Sequence, residues 1–240
     1  MNMQWYFHQV FWLSVALTLL SVSRGESVAA QFEGIVESKN ITMDETGTQQ
    51  TFTMTMFIRK DMVKIQSSAI GSSPPSTMIY RNDKRVVWML NEEEKSYFEI
   101  PQDEKAEEIR PPSEGRETES YKMSKTGKKR KILGYPCEQI FIMRDDEKTE
   151  IWGTKSLSHL FKAISTALGE EHTQAADDWA NKITKMGYFP LISTTKIEGA
   201  VAESQEVTRI EKKTLPVEFF DLPTGYRKQS VGEMLENSGQ

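Results

Sequence analysis

Apolar and polar residues alternate through most of the chain beyond residue 30, and that period of two predicts strands. In Thr51–Ile58 the even positions Phe52, Met54, Met56 and Ile58 are apolar while the odd ones are mostly Thr, which is a strand with one buried face. Further short runs of this kind are Gln31–Glu37, Met62–Gln66, Met78–Tyr80, Arg85–Leu90 and Lys95–Ile100. Arg59-Lys60-Asp61, Asn82-Asp83-Lys84 and Asn91–Glu94 separate several of them. Connections of a few residues join only antiparallel neighbours, so this half of the chain reads as a meander. Gln102–Gly115, with Pro111-Pro112 among many charges, breaks the pattern as an exposed loop. Beyond it, Tyr135–Met143 and Lys148–Thr154 flank the polar Arg144–Glu147 as an antiparallel hairpin.

After that hairpin the period changes to that of a helix. Leu157, Leu160, Phe161, Ile164 and Leu168 share one helical face between Ser156 and Gly169, which predicts a helix over 156–168. A second, over 174–186, takes Thr173 as its cap, Trp179, Ile183 and Met186 as its stripe and Gly187 as its stop. Both stripes need an apolar surface, and the nearest is the inner face of the sheet. The predicted fold class is therefore α+β, a curved antiparallel sheet with two amphipathic helices packed on or capping its concave face. Strands return at Tyr188–Ile192 and Val207–Ile210, the domain closes near Phe219–Tyr226, and 227–240 reads as a tail.

The start of the chain does not belong to this domain. Val10–Val22 is an apolar run of the length of a signal-peptide core and short for a membrane span. Small residues place cleavage after Ala30 or after Gly25. Met1–Gln9 has no Lys or Arg, so an uncleaved N-terminal anchor remains the alternative. The expectation is an exported, periplasmic or extracellular protein whose domain spans 31–226. With 38% hydrophobic and 27% charged residues the composition is that of a globular chain. A net charge of −5 argues against nucleic acid as a partner.

Candidate chemistry is sparse. The single cysteine, Cys137, shares a strand face with Tyr135, Phe141 and Met143 and reads as a buried small hydrophobe. The cations of Tyr121–Leu133, from Lys122 to Lys131, read either as a patch for phosphate or acidic lipid headgroups or as a solvated hairpin turning at Gly127. There is no Gly-x-Ser-x-Gly, no HExxH, no phosphate-cradling Gly-rich loop and no clustered His. The adjacent pairs Asp145-Asp146 and Asp177-Asp178 point apart on a turn or helix and do not make an acid/base pair. Met54, Met56 and Met62 lack a nearby Cys or His, so a Cu(I) site is the weaker reading beside core packing. Neither a cofactor nor a catalytic residue is predicted.

Four segments carry a family resemblance: Gly134-Tyr-Pro-Cys-Glu138, Thr149-Glu-Ile-Trp152, Gly187-Tyr-Phe-Pro-Leu191 and Phe220-Asp-Leu-Pro-Thr-Gly-Tyr226. They resemble a family of exported bacterial proteins carrying a domain of unknown function, similar to the half-barrel of the LolA and LolB lipoprotein carriers. The resemblance implies a concave apolar face that accepts acyl chains under a helical lid, and brings no catalytic residues with it. Met54, Met56, Trp88, Phe98, Phe141, Trp152, Phe161 and Trp179 are the candidate lining residues, being large, apolar and placed on elements expected to face inward. The same residues would serve as an ordinary core. The implied function is non-catalytic binding of a lipid, a lipoprotein acyl chain or another hydrophobic ligand, with transient membrane contact. The alternative is an envelope scaffold with a filled core that meets a protein partner through the 102–115 loop or the tail.

Overall fold

Short turns and alternating side chains build one continuous sheet in the structure, a computed structural model that describes residues 32–44, 46–71, 74–102, 121–160, 164 and 178–229, with the side chains of 178–181 excepted. Residues 31–240 are grouped as one compact unit; the predicted signal-peptide segment, the 102–115 loop beyond Gln102 and the tail from residue 230 lie outside the described residues. The strands are β1 Gly34–Met43, β2 Gln49–Arg59, β3 Met62–Ser67, β4 Ser76–Arg81, β5 Val86–Asn91 and β6 Ser96–Pro101. They continue as β7 Lys122–Ile132, β8 Tyr135–Arg144, β9 Glu147–Thr154, β10 Phe189–Ile197, β11 Ala200–Lys212 and β12 Arg227–Lys228. Helix α1 is Asp178–Lys185.

The sheet has 12 strands in the order β12-β6-β5-β4-β3-β2-β1-β11-β10-β9-β8-β7. Two meanders, β1–β6 and β7–β11, are joined side by side where β1 pairs with β11. All neighbours are antiparallel except β12, which runs parallel to β6. The sheet is curved and unclosed, and β7 and β12 are its two edges.

Two sequence expectations change here. Tyr121–Leu133 is not a hairpin turning at Gly127; β7 runs straight through it. Gly127 takes φ +78° inside a register shift between Lys125 and Lys129, a bulge that absorbs the extra residues without reversing the chain. The pairing of β10 with β11 is also longer than alternation predicts. Ser193, Thr194 and Thr195 face Gln205, Ser204 and Glu203, so both sides of this hairpin are polar and neighbouring strands, not a buried face, hold it in place.

Three apolar clusters order the molecule. The central one joins Val36, Ile58 and Val63 of β1–β3 to Cys137 and Trp152 of β8 and β9, with Leu157 and Leu160 among them. The cluster runs without a gap from β3 to β8, strands six places apart in the sheet, through Val207 of β11 and Phe189 and Leu191 of β10. A second cluster covers the other face of β2–β6, where Met62, Ile79, Trp88 and Leu90 are capped by Leu215 and Phe220. The third packs Ile183 of α1 and Tyr188 on Ile140, Ile142 and Ile151. Ile151 and Trp152 are consecutive in β9 and face opposite ways. Ile183 and the Leu157–Leu160 segment therefore anchor on opposite faces of β9, not together on one concave face as the sequence suggested. Residues 158–160 and Ile164 are helical; the remainder of the predicted 156–168 helix and the start of the 174–186 helix lie outside the described residues.

The family motifs prove to be fastenings. Phe220 is fully buried, and its neighbour Asp221 pairs with the buried Arg81 of β4 and, at 3.2 Å, with Lys84. Arg81 also holds Asp83 through two bonds of 2.8 Å. The Tyr226 hydroxyl donates to Glu92, which pushes its pKa up to about 12. On the far side the Tyr188 hydroxyl donates to Glu138 and accepts from Lys125 at 3.0 Å, so Glu138 is held below, and Lys125 above, its ordinary range. Gly153 lies under that ring, where an added methyl would stand 3.2 Å from the Tyr188 Cβ.

Burial raises Asp221, but hydrogen bonds from Lys84 and Arg81 outweigh it and leave its carboxyl below the ordinary range; the Arg81 bond does the same for Asp83. A carboxyl depressed in the folded state contributes stability above its unfolded pKa, and that contribution is lost as pH falls through the folded value. Thermal unfolding across the acid range should show the melting temperature falling below about pH 4, with Asp221→Asn lowering it at neutral pH and flattening the acid limb.

Candidate functional site

Register places a row of apolar side chains across the β1–β6 meander. Val36 faces Met56, Met56 faces Ile65, Ile65 faces Met78, Met78 faces Met89 and Met89 faces Phe98, one from each strand. Antiparallel pairing holds every strand in step, so the six stand side by side on one face. The next row toward the core, Ile58, Val63, Tyr80, Val87 and Ile100, begins fully buried, with Ile58 and Val63 at 0% exposure. In the first row Met56, Ile65, Met78, Met89 and Phe98 are only half-buried. On its other side stand Met54, Ser67 and Ser76, with Ser38 and Asn40 bonded to each other at 3.0 Å.

The chemistry of this face is soft and adaptable. Methionine is unbranched and polarisable and fits irregular apolar shapes. One polar handle that reaches in is the Tyr80 hydroxyl, whose pKa burial pushes up and which donates to the Met78 sulfur at 3.6 Å.

Of the sequence candidates, Met54, Met56 and Phe98 lie on this face. Trp88 does not. It alternates with Val87 and Met89, faces the second cluster beneath Phe220, and donates its indole N–H to Glu99 at 3.0 Å. Phe141 is half-buried outside the three clusters, with the Lys148 ammonium 4.2 Å from its ring centre. Trp152 sits in the central cluster, roofed by Arg130 at 4.0 Å, and donates to Glu150 at 2.7 Å. Burial raises Glu150, but bonds from Gln139 and Trp152 outweigh it and keep its carboxyl below the ordinary range. Phe161 lies outside the described residues. Trp179 lies within α1, and its side chain is outside them too. Ile65, Met78 and Met89 were missed by choosing large residues strand by strand; counting register from Met56 through the turn at Lys60–Asp61 reaches Ile65, but the 68–75 connection between β3 and β4 leaves the register of Met78 and Met89 to the folded sheet.

Other candidate chemistry is dispersed. Met62 faces away from Met54 and Met56, which splits the thioether trio. Among the described residues no group of three or more His, Cys, Asp and Glu is placed to hold a metal ion. Asp145 and Asp146 are exposed on the β8–β9 turn, whereas Asp177 and the Asp178 side chain lie outside the described residues. An open depression of about 400 Å³, lined by Thr42, Met43, Ile197, Ala200, Ala202 and Glu203, shares no residue with the apolar row. Cys137 is 1% exposed, and burial pushes its thiol up. A neutral, covered thiol does not attack. Cys137 should stay unlabelled by a maleimide in the native protein at neutral pH and react fully in denaturant; fast native labelling would place it at an open surface.

The chain matches known proteins at two levels. The model of a family described as "Domain of unknown function (DUF4412)" matches residues 32–226. No curated protein sequence matches the chain. Among solved structures, an uncharacterized conserved protein from Thermus thermophilus is 8% identical, covering 82% of this chain and 90% of that one at a TM-score of 0.45. PNGF-II is 12% identical over 86% of this chain but 34% of its own length, at a TM-score of 0.38. A LolA superfamily protein from Nitrosomonas europaea is 8% identical over 80% of this chain and 91% of its own, at a TM-score of 0.35.

Proposed function

We propose, for a chain that belongs to the DUF4412 family of domains of unknown function, a non-catalytic binding role in which the half-buried face of the β1–β6 meander holds a lipid, an acyl chain or another elongated hydrophobic ligand. The observation that carries this reading is the row Val36–Met56–Ile65–Met78–Met89–Phe98. Neighbouring strands lie about 4.8 Å apart, so six side chains in register make an apolar track about 24 Å long, the length of an extended acyl chain rather than of a compact metabolite. Three of the row, Met56, Met78 and Met89, are flexible and unbranched, and these with Ile65 and Phe98 are half-buried, which suits a ligand of variable shape. Met54, on the same face, flanks the track. Trp152 bounds the central cluster to which Val36 belongs; Phe161 remains a proposed member of its cover, whereas Trp179 lies on α1, whose Ile183 packs on the opposite face of β9.

The setting of this role is outside the cytoplasm. The apolar run Val10–Val22 with small residues at Gly25 and Ala30 supports export. No helix among the described residues is long and apolar enough to cross a membrane.

A second reading keeps the same face as core. Met56 and Ile65 already pack against the central cluster, so part of the track contributes to stability with or without a ligand. The two readings separate experimentally. Protein exported by a bacterial host and extracted under denaturing conditions should release lipid or lipopeptide detectable by mass spectrometry, and the emptied protein should enhance the fluorescence of an apolar probe. Finding neither would leave the scaffold reading.

A further inference from the structure

At the tip of the β7–β8 hairpin the fold and its sequence disagree. Only Leu133 and Gly134 connect the two strands, at φ +49° and +82°. Positive φ at both positions of a two-residue loop is the type I′ turn, whose first position is ordinarily Asn, Asp or Gly. Leucine incurs a steric penalty in that conformation and has no polar side chain to offset it. Nor does it serve the core, since it is 44% exposed.

The surroundings are cationic. Residues 121–137 contain Lys122, Lys125, Lys128, Lys129, Arg130 and Lys131 and no Asp or Glu, in a chain whose net charge is −5. Some of these cations have structural work: Lys125 bonds Tyr188, Lys129 lies 3.4 Å from Glu138, and Arg130 covers Trp152. Lys131, two residues from the tip, and Lys128, farther back at the bulge, are exposed and have no carboxylate partner among the described residues. The arm that carries them is firm, because Ile132 and Tyr135 face each other at its end and both pack on the central cluster.

We propose that this tip is a membrane contact: Leu133 enters the boundary between headgroups and acyl chains of an anionic bilayer while Lys128 and Lys131 meet lipid phosphates. An exposed apolar residue at the end of a cationic strand matches that interface, where burial of the one and attraction of the others act together. An acidic protein strand added to the β7 edge fits less well. Lysines along the edge and the bulge at Gly127 oppose strand pairing, and such a partner would leave Leu133 unused. The contact is independent of whether the inner face holds a ligand.

The test is vesicle co-sedimentation of the chain beginning at Gln31, which contains every residue of the three clusters and omits the apolar run of residues 10–22 that would itself bind lipid. Vesicles of phosphatidylcholine with phosphatidylglycerol should bind the protein, and phosphatidylcholine alone should bind it at least tenfold less. Leu133→Asn suits the turn better, so the melting temperature should hold or rise while binding falls about tenfold. Lys128→Gln and Lys131→Gln should each weaken it about fivefold. Absence of binding to anionic vesicles overturns the proposal. So does binding that follows the lysines but ignores Leu133→Asn, which would mark an unspecific cationic edge.

Discussion

Phe220→Ala should cost about 3–5 kcal/mol of unfolding free energy, the range for truncating a fully buried aromatic ring. Phe220 is 0% exposed and touches the outer face of the meander through Met62, Ile79, Trp88 and Leu90. Its loss opens a cavity that strands locked in a sheet cannot collapse to fill. It also frees the segment that presents Asp221 to Arg81, so the ion pair and the packing are lost together. Denaturant titration would measure this as a lower midpoint with an unchanged slope. A change under about 1 kcal/mol would mean that the 215–226 segment is not the lid of that face. Phe219→Ala, a residue that is half-buried and meets Phe57 at 4.8 Å between ring centres, should cost distinctly less.

Met89→Glu should reduce affinity for an apolar fluorescent probe more than tenfold while leaving the fold intact. Met89 lies between Met78 and Phe98 in the row, half-buried, so a carboxylate there retains enough water to be tolerated by the fold. It would nevertheless interrupt the track and leave a bound acyl chain against a charge. Met89→Leu, which keeps volume and polarity, should bind within a factor of about three of the parent. Equal binding by all three proteins would remove this face as the ligand site, and unfolding of the Glu variant alone would return Met89 to the core.

The two residues illustrate different kinds of legibility. Phe220 lies in a motif recognisable by resemblance, yet its purpose emerges only when the chain end folds back 139 positions to the carbonyl contact with Arg81. Met89 lies in an unremarkable run, Val86–Asn91, and acquires meaning from partners on both sides. Trp88, its larger neighbour, was the more conspicuous candidate and faces the other way.

Local periodicity decided most of the secondary structure. Phe52 to Ile58 is a strand with one apolar face because side chains alternate across a pleat, and the two-residue turn at Lys60 and Asp61 forces its neighbour to be antiparallel. An α+β class with a curved antiparallel sheet and the buried Cys137 were accessible on those terms, whereas the strand Arg227–Lys228, which pairs with β6, lies in what the sequence read as a tail. Tertiary structure decided the remainder. The β1–β11 pairing that welds two meanders into one sheet joins residues far apart in the chain, and no local pattern encodes it. The same closure set Ile183 and Leu160 on opposite faces of β9, because alternation says that two faces exist and only packing says what covers each. Antiparallel pairing from β1 to β6 likewise brought six separate strands into register as one apolar track, a property of the sheet that none of its strands possesses alone.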